Sequence, residues 1–170
     1  MSADAIAPLR YVAIPPEIAQ EARCTRVDRF GHRLSVVSEF GPCRVCLRIE
    51  PAPSEFILLS YQPLPDRGPY AEIGPIFIHA EPCKPYAQTT QFPADFASRR
   101  LILRAYGHDG AILDAKIAPP GEAPAVATAL LTDESVAEIH VRHVSYTCFD
   151  FKIFRGQAAR DHGPEQRGPS

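Results

Sequence analysis

Val136-Ala-Glu-Ile-His-Val-Arg-His-Val144 and, after a short gap, Thr147-Cys-Phe-Asp-Phe-Lys-Ile-Phe154 decide the fold. Both runs are rich in β-branched and aromatic residues and too close together for a crossover, so they read as an antiparallel hairpin. Successive side chains of a strand point to opposite faces. Ile139, Val141 and His143 therefore share one face of the first strand, opposite Glu138, His140 and Arg142. On the second strand Phe149, Phe151 and Ile153 share a face. The apolar faces coincide only if paired residue numbers sum to an even value. The reading predicts a three-residue loop, Ser145 to Thr147, with Ile139 opposite Ile153 and Val141 opposite Phe151. Arg142 then faces Asp150, and His143 stands with Phe149 at the edge of the core.

Outward from this hairpin the pattern repeats. Arg100 to Tyr106 and Ala111 to Ile117 flank His108-Asp-Gly110, and Asp-Gly between apolar runs is a hairpin signal. Glu55 to Tyr61 reads as a central strand apolar on both faces, Pro75 to Ala80 as another, and Leu9 to Ile14 as a first strand. Arg33 to Phe40 and Cys43 to Ile49 also read as extended, and Cys24 to Val27 as a brief strand. Pro15 and Pro16 open a short helix, since proline suits the first helical turn. Phe92 to Ser98 forms a helical turn, and Ala123 to Leu131 carries alanines and leucines at helical spacing. About eight strands with two or three short helices define an α+β fold, a single domain over residues 1–155 dominated by antiparallel sheet. From Gly156 to Ser170 the polar, apolar-poor tail is expected to be disordered.

Composition bounds the partners. A chain of 170 residues, 45% hydrophobic, is long enough for one self-sufficient core. Eighteen basic and 20 acidic residues give a net charge of −2, which leaves no field for binding nucleic acid. The N-terminus lacks the basic and apolar regions of a secretory signal, and no apolar run reaches the roughly 18 residues of a membrane span. The expected setting is the cytoplasm, with thiols reduced. Five cysteines, an odd number in a chain of this length, read as thiols or ligands rather than a disulfide framework.

The tract Pro69-Tyr-Ala-Glu-Ile-Gly-Pro-Ile-Phe-Ile-His-Ala80 resembles a bacterial family known only as domain of unknown function twelve-oh-three. So do Gly41-Pro-Cys-Arg-Val-Cys-Leu47, Leu101 to Tyr106, and Val136 to Arg142 with Cys148-Phe149. The resemblance runs in order along about residues 10 to 155. It implies no activity. The family pattern places asparagine after the arginine of the last motif, so His143 departs from it.

Several chemistries compete for the reactive side chains. Cys43-x-x-Cys46 is half of a zinc ligand set, which His79, Cys83, His140, His143 or Cys148 would complete. Residues three apart on a regular strand point to opposite faces, however, so Cys43 and Cys46 meet at a metal only across a turn. A redox Cys-x-x-Cys needs a helix start or a cation to lower its thiol pKa. Arg44 and Arg48 supply charge, but Pro51 and Pro53 leave little room for a helix. Cys83 or Cys148 with a histidine lacks the framing of a nucleophile motif. Phosphate-loop and dinucleotide fingerprints are absent.

A pocket reading remains. Tyr70, Glu72, His79, Arg104, Tyr106 and Arg142 interrupt apolar runs on or beside strands. A buried arginine must find a partner, either an internal carboxylate such as Glu72, Asp114 or Asp150, or a bound carboxylate or phosphate. The leading expectation is a site for a small anionic metabolite, without metal or other cofactor. Arg104 and Arg142 hold the anion, His79 and Glu72 handle protons, and Tyr70 and Tyr106 form the wall. The rival is a structural or protein-interaction module with a Cys/His zinc site. Exposed sheet edges offer a route to a homodimer; membranes and nucleic acids are not expected partners.

Overall fold

A computed structural model describes residues 8–64, 68–87 and 89–156. The elements follow in the order β1 (Leu9–Val12), α1 (Pro16–Thr25), β2 (Val36–Glu39), β3 (Ser54–Tyr61), β4 (Gly74–His79), a 3₁₀ turn (Ala94–Phe96), β5 (Leu101–Gly107), β6 (Ile112–Ala118), α2 (Ala123–Leu130), β7 (Val136–His143) and β8 (Phe149–Arg155). The tail after Gly156 lies outside the described residues. The strands form two antiparallel sheets, a five-stranded one in the order β1-β8-β7-β5-β6 and a three-stranded one in the order β2-β3-β4. The fold is thus a sheet-dominated α+β fold with two α-helices among the described residues.

Each sheet organises a separate apolar cluster. Leu101, Leu103, Ala105, Ile139, Val141 and Phe151 lie on one face of the large sheet, under Ala123, Ala127 and Leu130 of α2. The small sheet contributes Phe56, Ile57, Leu59, Ile76 and Ile78 to the second cluster, with Ala19 and Ala22 of α1 and Phe149 of β8. Phe149 joins the small-sheet cluster from a strand of the large sheet. Full burial of such side chains is worth about 1.5–3 kcal/mol each, which makes these clusters the main source of cohesion.

The β7–β8 hairpin keeps the register expected at its base, with Ile139 opposite Ile153 and Val141 opposite Phe151. Towards the turn it departs from it. A bulge intervenes, so Arg142 pairs with Phe149 and not with Asp150. The extra residue in a bulge changes the direction of its neighbours. Asp150 is completely buried, with Oδ1 3.1 Å from Arg44 Nη2 and Oδ2 2.6 Å from His143 Nδ1. The bulge puts Phe149 and Phe151 into different apolar clusters, although simple alternation would place them on one face.

Two further expectations need correction. Cys24 and Thr25 end α1 rather than forming a strand, and only Val27 makes an isolated bridge, to Arg33. The segment Cys43 to Ile49 is not a strand but a tight turn closed by a bridge between Pro42 and Ile49.

Candidate metal centre

The turn that replaces the expected strand carries the Cys-x-x-Cys pair. Leu47 N–H donates to the Cys43 carbonyl at 2.9 Å and Cys43 N–H to the Arg48 carbonyl at 3.0 Å. Leu47 adopts φ 56°, the left-handed conformation that reverses the chain. Gly41 precedes the turn where the backbone lies against Phe77; a Cβ there would stand 2.8 Å from a ring carbon. Surrounding segments fix the turn. Arg44 N–H donates to Phe77 O, Ile14 N–H to Arg44 O and Tyr86 N–H to Val45 O, at 3.0, 3.1 and 2.9 Å.

Folded this way, Cys43 and Cys46 face one centre together with His79, from the end of β4, and Cys83, from the loop beyond it. One ligand atom from each residue lies within 4.8 Å of every other. Cys43 Sγ and Cys83 Sγ are 3.7 Å apart, and Cys46 Sγ is 3.6 Å from His79 Nδ1. A disulfide would bring sulfurs to about 2.05 Å. A tetrahedral zinc, with bonds of about 2.3 Å to sulfur and about 2.0–2.1 Å to nitrogen, spaces two sulfurs about 3.7–3.8 Å apart and sulfur from nitrogen about 3.6 Å. Both separations are the edges of that tetrahedron.

The electrostatics point the same way. Contacts from Cys46 and then Cys83 hold the Cys43 thiol far below its ordinary pKa, while the contact with Cys43 pushes the Cys46 and Cys83 thiols up. Three adjacent thiolate anions repel one another, which opposes loss of all three protons together. A divalent cation removes that obstacle. His79 N–H points to Cys43 Sγ at 3.4 Å, and Arg23 reaches Cys83 Sγ at 4.0 Å while donating to the His79 carbonyl at 3.1 Å. On the far side of the imidazole, Glu50 Oε1 lies 3.7 Å from His79 Nε2. A carboxylate behind a ligating histidine fixes its tautomer and raises its basicity. Phe56 stacks on the same ring at 5.1 Å between centroids.

The side chains assigned to an anion site divide into two groups. Glu72 bridges both arginines, with Oε1 2.9 Å from Arg104 Nη1 and Oε2 2.7 Å from Arg142 Nη2. Arg104 also donates to the Tyr106 hydroxyl at 3.3 Å and Arg142 to the Thr147 carbonyl at 2.9 Å. These contacts make a clasp of Glu72, Arg104, Tyr106 and Arg142. The arginines hold the Glu72 carboxyl below its ordinary pKa even though partial burial opposes ionisation. Tyr70 is exposed on the loop that carries Glu72. His79 belongs to the cysteine cluster, where its neighbours are Cys43, Cys46, Glu50 and Phe56.

Beside the clasp on β7, His140 Nε2 meets Glu138 Oε1 at 2.7 Å and Lys152 Nζ meets the same oxygen at 3.0 Å. Burial holds His140 neutral, with its pKa lowered to about 4; burial opposes ionisation of Glu138, but its contacts with His140 and Lys152 outweigh that and lower its pKa to about 2. Sequence reasoning overlooked the connected set Arg44, Asp150 and His143. Its only sequence signal is one acid inside an otherwise apolar run, Phe149-Asp-Phe151.

The geometry defines a two-sheet α+β protein with a Cys₃His cluster at the edge of its smaller sheet. The model of a family described as protein of unknown function (DUF1203) matches residues 41–155, and the chain belongs to that family. That span includes all four residues of the cluster. No curated protein and no solved structure matches the chain. No helix among the described residues is long and apolar enough to cross a membrane.

Proposed function

We propose that this protein is a zinc-holding module in which the metal fastens the turn at Cys43–Cys46 to the end of β4 and the loop at Cys83. The observation that carries this reading is the convergence of three sulfurs and one imidazole nitrogen within 4.8 Å of one another, with two of the separations, 3.7 and 3.6 Å, matching edges of a zinc tetrahedron. Zinc suits the donor set, since thiolate and imidazole are its preferred ligands and tetrahedral coordination its structural geometry. Four protein ligands leave no position open for water or substrate, so the role is structural. The metal would hold Arg44, between the two cysteines, where its guanidinium reaches Asp150 of the large sheet.

The alternative, a small anionic metabolite held by Arg104 and Arg142, is less well supported, because the Glu72 carboxylate already pairs with both arginines. An incoming anion would have to displace it.

Elemental analysis of protein purified without chelator tests the zinc reading. One zinc per chain is expected. Cobalt exchange should produce an intense thiolate-to-cobalt absorption and tetrahedral d–d bands, both lost in Cys43→Ser and Cys83→Ser. Metal-free protein with five freely titrating thiols, unable to take up cobalt, would refute the proposal.

A further inference from the structure

Arg44, which stands between the two cysteines of the proposed zinc site, also lines a groove of about 600 Å³ shared by residues of the small sheet and of the β7–β8 turn. One side is apolar: Leu58 and Phe77, paired across β3 and β4, line it with Phe40, Pro42 and Ile49. Phe40 and Leu58 are 63% and 43% exposed, a large apolar cost for a surface with no purpose. The other end is polar. His143 and Arg99 both line the groove there. The 3₁₀ turn links the segments that carry them: the Phe96 ring packs edge-on against His143 at 6.2 Å, and the Phe96 carbonyl accepts the Arg99 backbone N–H at 3.1 Å.

His143 is a positioned group. Its Nδ1 is bound to the buried Asp150 at 2.6 Å, which leaves Nε2 as the nitrogen available to a ligand. Asp150 is held in turn by Arg44, which also donates from Nε to the Phe149 carbonyl and from Nη1 to the Pro42 carbonyl at 2.8 and 2.7 Å. Arg44 therefore orients Asp150. Arg99 is exposed and has no acidic partner among the described residues. Of the two acids lining the groove, Glu50 faces His79 and Glu39 ends β2 beside Phe40.

We propose that this groove binds an apolar-bodied monocarboxylate. Its carboxylate accepts hydrogen bonds from Arg99 and from the Nε2–H of His143 in its imidazolium form, in which Nδ1–H still donates to Asp150, and its hydrocarbon body lies along Leu58, Phe77 and Phe40. A charged head at one end and an apolar wall at the other is the complementarity such a molecule needs. None of the clasp residues Glu72, Arg104, Tyr106 and Arg142 lines the groove.

A fluorescent probe, 11-(dansylamino)undecanoate, titrated into the full chain with its zinc content measured, tests the inference. Saturable binding of one probe per chain is expected, with decanoate displacing it at least tenfold more effectively than decanol. Arg99→Ala should weaken binding about tenfold, the usual scale for losing one charge-assisted hydrogen bond. Leu58→Trp should fill the groove and abolish binding. Both positions are exposed, so folding is retained and checked by melting temperature. His143→Gln should weaken decanoate more than decanol. Equal competition by decanoate and decanol, unchanged binding in Arg99→Ala and Leu58→Trp, or a concentration-dependent dimer that takes up no probe would each overturn the proposal.

Discussion

Two clusters of reactive side chains, both drawn from widely separated parts of the chain, end in opposite chemical conditions. In the clasp, one carboxylate meets two guanidinium groups and opposite charges pair. In the cysteine cluster, every converging atom is an electron-pair donor, so the members, once deprotonated, cannot satisfy one another. Convergence of unlike groups closes a structure on itself. Convergence of like donors leaves a place that only a cation completes. That contrast, more than the number of conspicuous residues, separates a structural ion pair from a candidate binding centre.

The largest effect should come from emptying the cysteine cluster. Each thousandfold excess of free zinc over its dissociation constant adds about 4 kcal/mol to the folded state. Chelation should therefore lower the unfolding free energy by about that much, and urea midpoints with and without chelator measure it. Cys43→Ser should abolish the difference between the two conditions. If chelator leaves the midpoint unchanged while zinc is demonstrably removed, the metal does not hold the fold.

The second effect concerns the polar face of β7, where the clasp lies. His140 is buried and neutral, its pKa about 4 against 6.5 when exposed. Between those values the unfolded chain binds a proton that the folded chain does not, so stability falls as pH falls from about 6.5 to about 4. Glu138 acts lower. Its pKa of about 2 against 4.5 gives stability that is complete above 4.5 and lost on acidification below it. From pH 7 to pH 5 the His140 share should be about 1–2 kcal/mol. Denaturant midpoints of parent and His140→Gln, compared at both pH values and equal zinc occupancy, isolate it. An identical pH dependence in the two proteins would show that His140 is not the group responsible.

Much of the fold was legible, and the failures have local causes. The base of the β7–β8 hairpin follows from alternation, because only one register buries Val141 with Phe151. The bulge at Asp150 breaks that register through contacts with Arg44 and His143, which are distant in sequence or across the turn. The division into two sheets was hidden for the same reason, since nothing local says that β4 stops pairing before β5. Cys43 and Cys46 were set apart because Val45, Leu47 and Ile49 look like strand residues. The left-handed Leu47 that brings the two thiols together carries no sequence mark. The warning was Gly41-Pro42 immediately before a Cys-x-x-Cys, which favours a turn. His79 stood out for its reactive neighbours, but its role depends on which of them the fold brings near.

Opening the clasp tests whether it is closed in fact. Glu72→Ala should cost about 1–2 kcal/mol, less than a fully buried pair, because the Glu72 side chain is 48% exposed. It should leave zinc content unchanged. The vacated arginines then face solvent with no carboxylate between them. Millimolar phosphate should raise the melting temperature of Glu72→Ala and leave that of the parent unaltered. A phosphate response equal in the parent would mean that Glu72 does not block the pair, and would revive the anion reading for Arg104 and Arg142.

The smallest effect should come from Glu50, which lies outside the cluster yet faces His79 Nε2 at 3.7 Å. A carboxylate in that position acts through the imidazole. It favours the tautomer with the proton on Nε2, leaving Nδ1 free for the metal, and its charge strengthens the nitrogen as a donor. Glu50→Gln keeps the shape and removes the charge. Zinc affinity should fall about tenfold, or about 1.4 kcal/mol, at the low end for such outer partners. The melting temperature at saturating zinc should stay near that of the parent. Competition with a chromophoric chelator measures the affinity, and the cobalt spectrum reports whether the ligand set is intact. An unchanged spectrum with weakened binding places Glu50 behind His79. Equal affinity in the two proteins would mean that the 3.7 Å approach orients nothing, and that His79 is held by its stacking on Phe56 instead.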